Sequence, residues 1–179
     1  MKPSIFLAAA TLSIAGLVNA AAPAPAAPAP APTGAPDAAR VQAAHDLLAS
    51  MQAEKLLRMT AGMSKFPSPA QRELTMAKVE KLTPQMVYTR LSQPVARLVS
   101  TETALEMTRY YQSSYGQRLL KETYNGGPRM YAADPTPTPA EKAEQKKPAF
   151  VKANKEFKAA EPAIRHEVFV LLTEINKAK

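Results

Sequence analysis

The sequence predicts an all-α protein, a single helical bundle of about six or seven helices, preceded by a signal peptide and a Pro/Ala-rich tether. Three observations lead there. Between residues 37 and 131, apolar residues recur three and four apart, which puts them on one side of a helix and leaves the other side to water. Helix-starting residues (Asp37, Ser68-Pro69, Thr83-Pro84 and Ser100) punctuate that pattern. The 17 prolines cluster, so they mark linkers between ordered parts. A chain of 179 residues fits one domain with appendages.

The first 20 residues read as an export signal. Lys2 supplies the positive start, and Ile5 to Val18 is an apolar run of about 14 residues, inside the usual range of about 7–15. That is too short to cross a hydrocarbon layer of about 30 Å as a helix. Val18-Asn19-Ala20 suits cleavage after Ala20, which places the mature chain in the periplasm or outside the cell. A retained anchor is the other reading of these residues. Cleavage removes Lys2 and takes the net charge from +8 to +7. Residues 21–36 alternate Ala and Pro, and proline excludes both helix and sheet, so they read as an extended spacer.

Asp37 caps a first helix striped by Val41, Ala44, Leu48 and Met51, with His45 beside the stripe. A second helix carries Leu56, Leu57, Met59, Thr60 and Met63; Gly62 weakens its end, and Phe66-Pro67-Ser68-Pro69 stops it. Ser68 caps a third helix with Pro69 at its first position, burying Met76, Val79 and Leu82. Thr83-Pro84 starts a fourth with Val87, Leu91, Val95 and Leu98 on one face, and Pro94 predicts a kink or break near Ser92. Ser100 opens a fifth with Ala104, Met107, Tyr111 and Tyr115 on its apolar side. Ser113, Ser114 and Gly116 then let two helices meet closely, Leu119 and Leu120 begin the next buried face, and Asn125-Gly126-Gly127-Pro128 ends it.

Residues 132–148 form a proline-rich and charged linker with at most a short helix over 140–147. In residues 149–179, one helix carries Phe150, Val151 and Phe157, and Pro162 opens a second, striped by Ile164, Val168, Leu171, Leu172 and Ile175. Phe169 and Val170 fall on its other side, so this helix is either wedged between neighbours or presents an interface, including one for a homo-oligomer.

Composition excludes several chemistries. With no Cys there is no disulfide, thiolate nucleophile, Cys-ligated zinc or lipid-attachment site, and two His cannot make a histidine-rich metal centre. No Gly-x-Ser-x-Gly elbow and no phosphate-binding glycine loop is present. Glu102 and Glu106 stand in early turns, where they complement the helix dipole. The sequence therefore predicts no catalytic residue, cofactor or metal. Residues 37–131 carry a net +5, with Arg90, Arg97, Arg109, Arg118 and Arg129 spread over several helices. Such a surface suits an anionic membrane or acidic polysaccharide, or simply keeps the protein solvated, and export argues against nucleic acid. Tyr88, Tyr110, Tyr111, Tyr115, Tyr124 and Tyr131 either line a groove or fill the core with a wet hydroxyl. The candidate binding residues are Tyr110, Tyr111, Tyr115, Arg109 and Arg118.

Leu82-Thr83-Pro84-Gln85-Met86-Val87-Tyr88, then Ser100-Thr101-Glu102, then Tyr110-Tyr111-Gln112-Ser113-Ser114-Tyr115-Gly116-Gln117-Arg118-Leu119-Leu120 resemble the bacterial exported family called domain of unknown function 2059. Its motif runs aromatic-Tyr-Arg-Ser-Pro-x-Gly-x-Lys-Leu-Leu. Here Tyr110 and Tyr111 stand for the aromatic pair, Ser113 for the serine, Gly116 for the glycine, and Leu119 and Leu120 for the apolar pair. Gln112 replaces the usual Arg and Ser114 the usual Pro. The resemblance covers about residues 40 to 125 and implies a periplasmic helical protein with no established activity. Together these readings predict a non-enzymatic binding or scaffold module of the bacterial envelope, recognising an envelope protein or a small ligand. The alternative is a peripheral factor held to the anionic envelope surface by its basic face.

Overall fold

A computed structural model describes residues 35–125 and 134–177, and these contain eight α-helices and no strand. The helices are α1 (Ala38–Ser50), α2 (Ala53–Met63), α3 (Pro69–Glu80), α4 (Pro84–Leu98), α5 (Thr101–Gln112), α6 (Ser114–Asn125), α7 (Pro139–Gln145) and α8 (Pro148–Lys177). The signal and almost all of the tether lie outside the described residues, as do Gly126-Gly127-Pro128, Arg129 and Tyr131. Among the described residues no helix is long and apolar enough to cross a membrane.

The helix starts follow the local chemistry of the chain. The Asp37 carboxylate accepts from the Arg40 N–H at 2.8 Å and the Ser68 hydroxyl from the Gln71 N–H at 3.2 Å. Thr83 and Ser100 accept from Met86 at 3.3 Å and Thr103 at 3.2 Å. Each cap satisfies one of the N–H groups that a helix start leaves without an internal partner. Proline occupies the first turns of α3 and α4, where its missing N–H costs nothing.

The core forms where the stripes converge. α1 packs against α4 and α5, and α8 runs along both α4 and α5. α2 lies on α3, α4 and α8, while α6 rests on α5 and touches α2. Leu47, Leu48, Leu57, Leu91, Met107, Ile164 and Val168 are wholly inside. Thr75 is also buried, a position the apolar pattern on α3 does not mark: its hydroxyl lies 2.8 Å from the Gln71 carbonyl and 3.0 Å from the Asn176 Oδ1 on α8.

Two prolines act differently from the sequence expectation. α4 is helical throughout, with no break near Ser92 despite Pro94. Residues 148–177 form one 30-residue helix running through Pro162, where two helices were expected. Packing decides both cases. An interior proline costs about 3 kcal/mol or more. Val87, Leu91 and Val95 are all buried in α4, and each such side chain contributes roughly 1.5–3 kcal/mol. In α8 the buried stripe Phe150, Ala153, Phe157, Ala160, Ile164 and Val168 passes Pro162 in phase, and Pro162 itself is exposed.

A polar clasp binds α8 to the start of α5. The Glu156 carboxylate accepts from the Ser100 N–H at 2.6 Å, the Ser100 hydroxyl at 3.0 Å and the Thr103 hydroxyl at 2.6 Å. Burial opposes its charged form, but the hydrogen bonds from Thr103 and Ser100, with Lys152 nearby, outweigh it and hold the carboxyl below its ordinary value.

The turns are tight. Gln52 joins α1 to α2 with φ 56°, in the left-handed region, and its carbonyl accepts from the Lys55 N–H at 2.8 Å. Between α5 and α6 stands one residue, Ser113, which ends one helix and caps the next. Its N–H donates to the Arg109 carbonyl at 3.0 Å and the Tyr110 carbonyl at 3.1 Å, and its hydroxyl donates to the Tyr110 carbonyl at 2.6 Å. That hydroxyl also accepts from the Gly116 N–H at 3.1 Å. The turn presses Gly116 onto α5, so that a Cβ there would land on the Tyr110 carbonyl oxygen and 2.7 Å from the Tyr111 Cα.

Gly116→Ala is therefore expected to destabilise the fold by about 1–3 kcal/mol, because the obstacle is backbone and cannot swing aside. Gly62→Ala, which meets nothing within 4 Å, is expected to stabilise it by about 0.5 kcal/mol. Denaturant midpoints at unchanged slope measure both. Glu156 has a lowered carboxyl pKa, so its contribution is complete above the ordinary glutamate value of about 4.3 and is lost as pH falls through its lower folded value. Glu156→Gln should cost about 1–2 kcal/mol at pH 7 and flatten the acid limb of the stability curve.

Candidate functional site

The Ser113 turn gathers the tyrosines. Tyr110 and Tyr111 end α5, Tyr115 begins α6, and α8 brings Phe150 and Phe157 against them. The Tyr110 ring lies 5.2 Å from Tyr111, 5.9 Å from Tyr115 and 5.0 Å from Phe150, centroid to centroid. Tyr111 meets Phe157 at 6.0 Å, edge to face. These rings form one wall of a cleft of about 450 Å³ between α5, α6 and α8. Met51, Met59 and Met107 add flexible apolar lining, and Lys158, Glu161, Arg165 and Asp134 supply its charged groups.

The two readings left open for the tyrosines are both realised here. Tyr115 is buried and Tyr110 and Tyr111 are half-buried, yet all three line the cleft. Burial pushes the Tyr110 hydroxyl up to about 12, with smaller contributions from Tyr115 and Asp134. Tyr111 is raised further, chiefly by burial and then by Tyr110, and burial with Glu54 takes Tyr124 up to about 12. These phenols stay protonated at neutral pH and act as donors. Tyr124 donates to the Met51 carbonyl at 3.0 Å, which ties α6 to the α1–α2 joint. Among the described residues, the Tyr110 and Tyr111 hydroxyls make no hydrogen bond, so their donors are available to a molecule in the cleft.

The two candidate arginines lie elsewhere. Arg118 makes a two-pronged pair with Glu141 on α7, at 3.1 and 2.8 Å, with its guanidinium 5.6 Å from the Tyr115 ring centre. Arg109 pairs with Glu106 at 3.0 Å and borders a second hollow of about 250 Å³ on the other side of Tyr110 and Tyr115. Tyr88 is also apart, donating to Glu54 at 2.6 Å with His45 edge-on at 5.7 Å. His166 is exposed on α8, and Glu102 pairs with Lys152 at 3.2 Å. Sequence reasoning missed Phe150, Phe157, Met59, Lys158 and Arg165 as cleft residues; the α8 stripe marked the two phenylalanines as buried but not against what. Among the described residues no group of three or more His, Asp or Glu could hold a metal ion.

The architecture is that of an all-helical protein with a tyrosine-walled cleft of the size that takes small ligands. Set against known protein families, characterised proteins and solved structures, the chain matches none of them.

The raised phenols carry a pH consequence. Their protonated forms are favoured by folding, so this contribution is complete below about pH 10, the ordinary tyrosine value, and is lost as pH rises through about 12. Tyrosinate absorbance should therefore lag behind that of free tyrosine between about pH 10 and 12, and stability should fall across that range.

Proposed function

We propose that this protein is a non-enzymatic binding module of the bacterial envelope, whose tyrosine-walled cleft holds the apolar part of a small ligand or a partner's side chains. The observation that carries the reading is the convergence of Tyr110, Tyr111 and Tyr115 with Phe150 and Phe157 on one open cavity of about 450 Å³. Two half-buried phenol donors give such a cleft a preference for ligands that carry hydrogen-bond acceptors. Glu161 and Arg165 neutralise each other at 2.7 Å, which favours an uncharged ligand over an ion. Residues 1–20, read as an export signal, and the resemblance to the exported family support a place in the periplasm or outside the cell. The net +5 of residues 37–131 supports a second component, attachment to an anionic envelope surface.

The neutral fluorescent probe N-phenyl-1-naphthylamine tests the cleft. It should bind one site per chain, with an affinity little changed between low and high salt. Tyr111→Ala should weaken it about threefold to tenfold by removing one ring of the wall. Asn154→Trp, which fills the cleft from α8, should abolish binding while leaving the melting temperature close to that of the parent. Equal binding to the filled variant, or no binding to either protein, overturns the reading. Adsorption to anionic vesicles that disappears at high salt would report the basic surface instead.

A further inference from the structure

α7 does not belong to the core. It is seven residues long and buries none of them. Its own sequence starts it well: Thr138 accepts from the Glu141 N–H at 3.3 Å and Glu141 accepts from the Thr138 N–H at 2.8 Å, a reciprocal cap with Pro139 in the first turn. What ties its first turn to α6 is one carboxylate, while its other end meets α8 and Tyr115. Glu141 takes the Ser114 hydroxyl at 2.8 Å and both arms of Arg118 at 3.1 and 2.8 Å, all from the first turns of α6. Gln145, at the other end of α7, lies on the cleft and on the second hollow alike, beside Tyr115. Tyr110, Tyr115 and Phe150 border both spaces. α7 thus walls the second hollow with Glu141, Glu144 and Gln145, meets the tyrosine end of the cleft at Gln145, and is held there chiefly by polar contacts.

We infer that α7 is a strap over the tyrosine end of the cleft, latched by the Glu141–Arg118 pair, whose release uncovers Tyr115 and joins the second hollow to the binding cleft. A helix without buried apolar contacts opens at far lower free energy than the bundle beneath it. Arg118 is still largely open to water, so salt weakens its pair with the more covered Glu141, and the two-pronged geometry makes the pair specific to Arg. The Ser114 hydroxyl adds to the latch at the position where the resembled motif carries proline. The strap would govern how fast a ligand enters and leaves, and to that extent the inference rests on the cleft being a binding site.

The test uses the full chain with Glu141→Gln, Arg118→Lys and, as a control on the same helix, Lys142→Gln. Three quantities are read: amide exchange of residues 138–146 against that of α4, nitration of Tyr115 by tetranitromethane, and the association rate of N-phenyl-1-naphthylamine. Glu141→Gln should speed exchange in α7 about tenfold and nitration of Tyr115 severalfold, leave exchange in α4 unchanged, and raise the probe's association rate at least fivefold. Arg118→Lys should fall between, and Lys142→Gln should match the parent. Unchanged α7 exchange in Glu141→Gln overturns the latch. Faster α7 exchange with an unchanged association rate overturns the strap and leaves the cleft standing. Faster exchange and nitration with no probe binding in any variant overturns the cleft as a binding site, and with it the gating role.

Discussion

One serine organises the cleft side of this molecule. Ser113 ends α5 and starts α6 with nothing between them, and each of its polar groups is used. The N–H closes α5, the hydroxyl bridges the Tyr110 carbonyl and the Gly116 N–H, and the carbonyl accepts from the Gln117 N–H at 2.9 Å. The Gln117 side chain then reaches back to the Tyr111 carbonyl at 2.6 Å, so α6 satisfies one carbonyl left over at the end of α5 and Ser113 satisfies those of Arg109 and Tyr110. A turn this short has room for only a hydrogen at Gly116 Cα. Longer loops would let α6 slide; this one sets the distance between Tyr110 and Tyr115 and hence the wall of the cleft.

The same turn explains why the bundle has a cleft at all. α6 is held at its start by Ser113 and near its end by the Tyr124 hydroxyl on the Met51 carbonyl, and between these anchors it buries only Tyr115, Gly116 and Leu120. The remaining helices of the bundle, α3 and α7 apart, are pulled together by apolar stripes. α6 is instead hung from polar contacts at two points, and the space beside α8 stays open. Full closure would bury more apolar area. The geometry of the turn prevents it, and the rings that would have met in a core line a cavity instead.

Legibility in the sequence divides along the same line. Caps and stripes were readable because they are local: Asp37, Ser68, Thr83 and Ser100 act within three residues, and the α8 stripe of Ile164, Val168, Leu171, Leu172 and Ile175 is buried as its spacing required, while Phe169 on the other side is exposed. Gly116 was readable for the same reason, since its obstacle is the preceding turn. The prolines misled because propensity is a local cost and the answer was tertiary: the stripes on both sides of Pro94 and Pro162 stay in phase against the same neighbours. Half of the site was readable in Tyr110, Tyr111 and Tyr115. The other half, Phe150 and Phe157, comes from far along the chain, and no periodicity tells one helix which face of another it will meet. Arg118 was singled out as a binding residue and instead pairs with Glu141, which stood inside what read as a linker with cancelling charges.

That linker shows how weak and strong contacts divide the work here. The clasp of Glu156 on Ser100 and Thr103 and the pair of Glu141 with Arg118 are both carboxylates gathering several donors, and both carboxyls are lowered, Glu141 to about 2. They differ in what stands behind them. Glu156 is carried by a helix whose neighbours Ala153, Phe157 and Ala160 are buried, so its hydrogen bonds add to a contact that apolar packing already makes. Glu141 is carried by a helix that buries no residue, so its hydrogen bonds to α6 have no apolar packing behind them. The first arrangement resists local opening because opening exposes core; the second opens whenever water and salt compete for one carboxylate. Placing the second kind beside Tyr115 and the first on the far side of α5's origin puts the yielding part of the fold next to the cavity and the rigid part beneath it.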